Sequence, residues 1–411
     1  MRRAKTLLTA AALMAATTPV SADGLRLRTD YSLTSGWSAA SSLDTALGFQ
    51  NRATGAGNVR LIWDKSLGDF QLEVQSNLSF AQGDAIGYGA ALAPFLPTPP
   101  PATYFDLARP WRINGTTMAT NTIDRLSISY GSPHFVIKAG RQAITWGSGT
   151  VFQVSDIVAP FSPNALDTSY KPGVDMVYAQ YLFDSGADIQ TIWVPRAASF
   201  GGTIAFASST YATRARMTLG PIDTGVMLAR DRGDSIASLA FGGPLGGASW
   251  NVEYAQWMLA SGTTHRSYLA NISNFGTLFG RNISYFAEYY HNGFGVDAAL
   301  PFDSLPASLI KRMSTGQVFN TGRDLLAFGG QMQITPDLMI APNAMINLQD
   351  RSAVAGVLVN YTLDDNTNLV VNYLHPLGAT GTEFGGRETT AGSGVYLGPS
   401  RSLTVQLVRY F

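Results

Sequence analysis

Apolar and polar residues alternate with a period of two along most of this chain. In "DGLRLRTDYSL" Leu25, Leu27, Thr29 and Tyr31 share one face, and Arg26, Arg28 and Asp30 share the other. "DFQLEVQSNLSF" sets Phe70, Leu72, Val74, Leu78 and Phe80 against Gln71, Glu73, Gln75 and Asn77. "TYATRARMTLG", "RNISYFAEYY" and the closing "SLTVQLVRYF" repeat the pattern. This period is that of a β-strand with one apolar face. Each segment runs to about ten residues, the length a tilted strand needs to cross a bilayer and roughly twice that of a strand in a soluble sandwich. Aromatic residues gather at segment ends, among them Tyr31, Phe70, Phe80, Tyr130, Phe183, Trp193 and Tyr289.

Eighteen such segments are predicted, near 23–33, 56–66, 69–80, 122–130, 134–143, 173–183, 187–194, 208–219, 222–231, 234–242, 247–259, 264–273, 281–291, 323–334, 337–348, 351–363, 367–375 and 401–411. A nineteenth, "SGVYLG" (393–398), is short, carries two glycines and would leave the termini on opposite sides of a membrane. The fold class is therefore all-β: a transmembrane antiparallel β-barrel of about 18 strands, with about 16 also open.

The connections support this reading. "SLGD", "GSP", "DSGA", "LGPI", "GPLGG", "TPD" and "DDNT" are tight turns of Gly, Pro and Asp chemistry. They fall at every second connection, as periplasmic turns should. Long extracellular loops are expected at the alternate positions, 34–55, 81–121, 144–172, 292–322 and 376–400. "DRGD" is short where a long loop is allowed, and 274–280 is long for a turn.

Composition narrows the setting. Charged residues make up only 14% of the chain, against roughly 25% in soluble domains, so something other than water should face much of the surface. No stretch after Ala22 approaches the roughly 18 consecutive apolar residues of a transmembrane helix. At the N-terminus Arg2, Arg3 and Lys5 precede a short apolar run, Leu7 to Ala16, and the small-residue site "VSA". Residues 1–22 therefore read as a cleaved secretory signal peptide, and 23–411 as one barrel domain. Cleavage removes three basic residues and no acid, leaving 25 basic against 28 acidic residues, a net charge of −3. That balance gives no bulk attraction to nucleic acid. The chain has no cysteine, which excludes disulfides, thiolate chemistry, iron–sulfur clusters and cysteine zinc sites. His134, His265, His291 and His375 stand at no metal-ligand spacing. No metal, cofactor or catalytic site is expected.

In its pattern of strands, turns and loops, the chain resembles the porin-like outer-membrane β-barrels of Gram-negative bacteria. The ending, with Leu403, Val405, Leu407 and Phe411 at or near two-residue steps, is similar to the signal that barrel-assembly machinery reads. It departs at Arg409, where an aromatic is usual. The resemblance implies an outer-membrane location, a passive pore for small hydrophilic solutes, and a third long loop folded back into the lumen. That loop, 144–172, is apolar and glycine-rich, so burial suits it better than water does; the alternative is a surface cap or a subunit-contact loop. Trp146, Phe152 and Phe161 are its candidate packing residues, and Asp156, Asp167 and Lys171 its candidate charges at a constriction.

Strand parity places Arg26, Arg28, Arg60, Lys138, Arg214 and Arg216 in the lumen, against Glu73, Asp175 and Glu288. A cationic excess there would concentrate anions. The alternative is that these arginines pair across the lumen and only hold the wall together. Arg141 shares parity with Phe135 and Ile137, so it should lie above the hydrocarbon or follow a bulge. Two other functions stay open: a dedicated conduit for polysaccharide or a sheath around a partner electron carrier, and a barrel-embedded lipid hydrolase using His291, which no serine elbow accompanies. Expected partners are membrane lipid, small hydrophilic solutes and the assembly machinery, and association into a homo-oligomer is left open.

Overall fold

The structure, a computed structural model, describes residues 24–96, 99–163, 169–297 and 299–411, with the side chains of Arg112 and Ile113 outside the description. The expected signal peptide and Asp167 therefore lie outside the described residues.

Eighteen antiparallel strands form a closed barrel. The first six are β1 (Leu25–Trp37), β2 (Asn51–Leu67), β3 (Phe70–Gly83), β4 (Thr117–Gly131), β5 (Phe135–Gln142) and β6 (Val174–Leu182). Then come β7 (Asp188–Val194), β8 (Thr210–Leu219), β9 (Ile222–Asp231), β10 (Asp234–Leu245), β11 (Ala248–Met258) and β12 (Thr264–Leu278). The last six are β13 (Arg281–His291), β14 (Asp324–Thr335), β15 (Leu338–Asn347), β16 (Ala353–Asp364), β17 (Thr367–Leu377) and β18 (Arg401–Tyr410). Each strand pairs with its sequence neighbour, and β18 closes on β1 from Arg28↔Tyr410 to Trp37↔Arg401. Closure removes sheet edges, so the backbone of a wall in hydrocarbon satisfies itself. The apolar parity of each strand faces out: Leu61, Phe70, Ile128, Val177, Leu228, Ile272, Phe328 and Leu407 are all exposed on the outer surface. Among the described residues no helix is long and apolar enough to cross a membrane.

All eighteen predicted segments are wall strands, but several run further. β1 continues to Trp37 and β2 starts at Asn51, so the first long loop shrinks to 38–50. β12 continues to Leu278, leaving only Phe279 and Gly280 as its turn, both with positive φ (52° and 72°). Arg232 and Gly233 at the "DRGD" connection do the same (49° and 87°). Two successive positive-φ residues match the twist of a hairpin, which is why both connections close in two residues.

The remaining differences are in the loops. "SGVYLG" contributes Tyr396–Leu397, paired with Arg387–Glu388 in a small hairpin outside the wall. Ala108–Asn114 pairs with Thr117–Thr122 at the top of β4, a hairpin unforeseen within a proline-rich loop. Short helices form in other loops: α1 (Leu43–Ala46), α2 (Asp84–Leu92) and α3 (Ala307–Ser314). The packed core lies inside the barrel. Trp146, Phe152 and Ile157 of the third long loop meet Leu305, Leu309 and Val318 of the 292–323 loop and Phe384 of the last loop.

Candidate functional site in the lumen

The third long loop spans 143–173, between β5 and β6, and enters the barrel because polar wall groups replace the water its backbone gives up. Glu253 in β11 and Glu288 in β13 are both fully buried. Glu288 accepts from the amides of Thr150 (2.6 Å), Val151 (2.9 Å) and Phe152 (2.7 Å), and from Asn271 Nδ2 (2.9 Å). Glu253 accepts from the amide of Ser155 (2.8 Å), the hydroxyl of Ser148 (2.7 Å) and the Ser148 amide. Gly147 and Gly149 let the chain turn closely here, since a Cβ on Gly149 would come within 1.9 Å of Phe152 O. Trp146 Nε1 donates to Gln190 in β7 (2.7 Å), and the Phe152 ring stacks on Tyr290, with centroids 4.7 Å apart.

The returning leg reaches the opposite wall. Tyr170 lies under the guanidiniums of Arg60 (4.3 Å) and Arg28 (5.2 Å). Arg125 in β4 donates to Lys171 O (2.6 Å). Lys171 and Asp156 form an ion pair within the loop, both buried. Burial dominates there and pushes the Asp156 carboxyl up to about 6, with nearby Glu253 adding to the rise, while Lys171 and the Val158 amide oppose it. Burial lowers the Lys171 ammonium in turn. The pair is thus a neutral latch and offers no net charge to a passing solute.

Around β1 to β5 the interior wall is an ion-pair mesh. Lys138 binds Glu73 (2.7 Å), Arg60 binds Asp124 (2.6 Å) and Gln75 (3.3 Å), and Arg28 binds Asp30 (3.2 Å). A bulge between the partners of Gln75 and Ser76 puts Asp124 and Arg125 side by side. Arg26 pairs with Asp64 at an exposed position. On β8, Arg216 is held by Asp188 (Nε to Oδ2, 3.0 Å). Arg214 has neither a hydrogen bond nor an ion pair among the described residues. It borders a cavity of about 340 Å³ lined also by Ser148, Asp188, Arg216, Asp223 and Asn251.

The expected roles of Glu288, of Lys171 and Asp156, and of Asp175 need correction, the last in its parity as well. Glu288 points inward but is sealed beneath the loop, because three amides occupy it. Lys171 and Asp156 neutralise each other rather than charging a constriction. Asp175 does not share the lumen parity. It stands in register with Arg141, which stands in register with the outward-facing Leu126. Arg141 grips Asp175 through two bonds of 2.9 Å, Asp175 caps the Tyr104 and Phe105 amides (2.9 Å each), and Arg141 is buried beneath that segment at the extracellular rim. Phe161 is only partly buried, bordering a crevice with Pro160 and Val318.

Glu253, Gln190, Asp124, Arg125 and Tyr170 were not singled out in the sequence. Glu253 was within reach, since it opposes Val252 and Tyr254 in parity. His291 sits on the outward face, its ring stacked on Tyr268 (4.6 Å) and its Nδ1 2.7 Å from Asp324. Leu407 and Val405 face outward near the chain end, and the Arg409 guanidinium lies over the Phe411 ring (5.2 Å).

No protein-family model and no curated protein sequence matches this chain. Among solved structures, it is similar to OccAB2 of Acinetobacter baumannii, with a TM-score of 0.55 and 10% identity over 94% of this chain and 97% of that one. OccAB3 of the same organism gives 0.52 and 9%, covering 94% and 98%. A BenF-like porin from Pseudomonas fluorescens Pf-5 gives 0.51 and 9%, covering 94% and 97%. At these identities the likeness is one of fold. By architecture, the chain is a closed 18-stranded β-barrel of porin-like fold.

Proposed function

We propose that the barrel is a diffusion channel for small hydrophilic solutes, narrowed by the 143–173 loop and favouring anions. Arg214 carries the anion preference. It is the lumenal guanidinium, among the described residues, that neither a carboxylate nor a carbonyl occupies, and Arg216 stands two residues along the same strand face. A fixed positive charge beside a narrow wet passage in a low-dielectric wall raises the local concentration of anions. The paired arginines of β1 to β4 contribute less, because each spends its charge on a neighbouring acid. On this reading the mature protein starts at Asp23, after signal-peptide removal, and its terminal strand is presented to the assembly machinery.

The test is reversal potential in planar bilayers under a potassium chloride gradient. Wild-type protein should show stepwise openings selective for chloride. Arg214→Gln with Arg216→Gln should move the reversal potential toward zero or past it with the openings kept. An unchanged reversal potential would end the anion assignment, and absence of openings in the wild type would end the channel assignment.

A further inference from the structure

Among the described wall strands, the β14–β15 ladder skips two opposed positions without changing register. β14 and β15 pair from Leu325↔Asn347 to Gly329↔Asn343, then resume at Met332↔Ile340 in the same register. Between these, Gly330 and Gln331 do not pair with Pro342 and Ala341. The outer sides of both strands are intact there: Gly330 pairs with Tyr285 of β13, and Pro342 with Val357 of β16. The cause lies in the sequence. Pro342 has no N–H to give the ladder, and proline is otherwise confined to sheet edges and bulges. It stands near the middle of its strand, facing lipid. Gly330 adds to the thinness, and a Cβ there would come within 2.5 Å of Ser284 O.

Unpaired backbone in hydrocarbon is costly, and a membrane wall keeps it only where it lines a cavity. Cavities lie on both faces of this seam. One, of about 460 Å³, is on the lumen side under Val151 and Pro163 of the inserted loop, against Phe286, Ala327 and Met345. The other, of about 430 Å³, lies on the lipid side among Ile283, Tyr285, Phe328 and Met332. Both reach Gly330, Pro342 and Asn343, so the same patch of backbone floors each. Neither lining contains a charged residue, in contrast to the cavity beside Arg214.

We propose that the β14–β15 seam at Gly330 and Pro342 is a lateral exit, through which an uncharged apolar small molecule passes between lumen and bilayer. Pro342 can donate no bond across the seam, so the wall is already weakened where the two cavities meet. An ion finds no counter-charge on this route, which leaves the axial path to charged solutes. The exit rests on the channel reading only in requiring that the lumen admit the molecule.

The chain has no cysteine, so a Gln331→Cys, Ala341→Cys pair can be oxidised across the gap without competing thiols. Directly opposed strand positions fall in the Cα separation a disulfide spans. The probe is N-phenyl-1-naphthylamine, which is uncharged and brightens in apolar surroundings, added to cells whose outer membrane otherwise excludes it. Cells carrying the reduced pair should take it up severalfold faster than cells without the protein, oxidation should bring the rate to background, and reductant should restore it. Pro342→Val, which returns an N–H to the ladder, should slow uptake in the same sense. Planar-bilayer conductance should be unchanged in both variants, which reports a folded barrel and keeps failure of the pore apart from failure of the seam. Equal uptake with the pair oxidised or reduced, or uptake no faster than in cells without the protein while conductance is normal, would overturn the exit. So would a Pro342→Val protein that conducts normally and admits the probe as fast as wild type.

Discussion

The two sides of the lumen treat carboxylates in opposite ways. Around β1 to β5, Asp30, Glu73 and Asp124 meet Arg28, Lys138 and Arg60, side chain to side chain. Across the barrel, Glu253 and Glu288 form no ion pair among the described residues and accept instead from backbone amides of the inserted loop. The first arrangement braces the wall and the second docks a loop. Glu253 and Glu288 are fully buried and their partners carry no net charge, so salt screens the second contact less than the first. A carboxylate on a lumenal strand therefore reveals its role only through its partner.

The comparison can be broken most severely at Glu288. Replacing it with Ala leaves three loop amides and the Asn271 amide without an acceptor in a buried site, a loss of about 5 kcal/mol. The loop should leave the lumen. Single-channel conductance should rise, and the temperature at which the barrel loses its folded gel mobility should fall. Unchanged conductance would mean that the loop does not limit flow.

A smaller effect is expected within the loop. Lys171→Met strands Asp156 as a buried lone carboxyl, at a cost of about 3 kcal/mol if it stays ionised. Because the Asp156 carboxyl titrates near 6 when folded, against an ordinary 3.8, its neutral form is the one folding favours. Its stabilising contribution is full below the unfolded value and fades as pH rises through about 6. Protease protection of the loop should therefore decline as pH rises across this window. Asp156→Asn should flatten that decline, and a slope that survives the substitution would assign it to another group.

The smallest effect belongs to Arg26. Its side chain is 63% exposed in its pair with Asp64, and water screens such contacts. Arg26→Ala should cost under about 1 kcal/mol, with conductance unaltered. A larger loss would mean that the mesh of β1 to β5 extends to the periplasmic rim.

Much of the wall was legible because its rule is local. Lipid on one side and side chains on the other impose alternation on every strand, so Leu403, Val405 and Leu407 disclose their face with no knowledge of any neighbour. The rule failed where something other than lipid covers a face. Asp175 and Arg141 follow outward parity, yet a loop around Phe105, 70 residues before the one and 36 before the other, encloses them. Strand ends were misjudged for a similar reason: beyond the hydrocarbon, segments such as 34–37 and 51–55 continue as hairpin without needing an oily face.

The sequence by itself determined that this chain alternates into eighteen strands with short turns on one side and long loops on the other. Each of those features is set by residues within ten or so positions. Only the tertiary structure decided which charges face water, which are spent, and where the wall is unpaired. Those outcomes depend on meetings such as Glu288 with Phe152 or Gly330 with Pro342, and closure of the barrel, not spacing along the chain, brings such residues together.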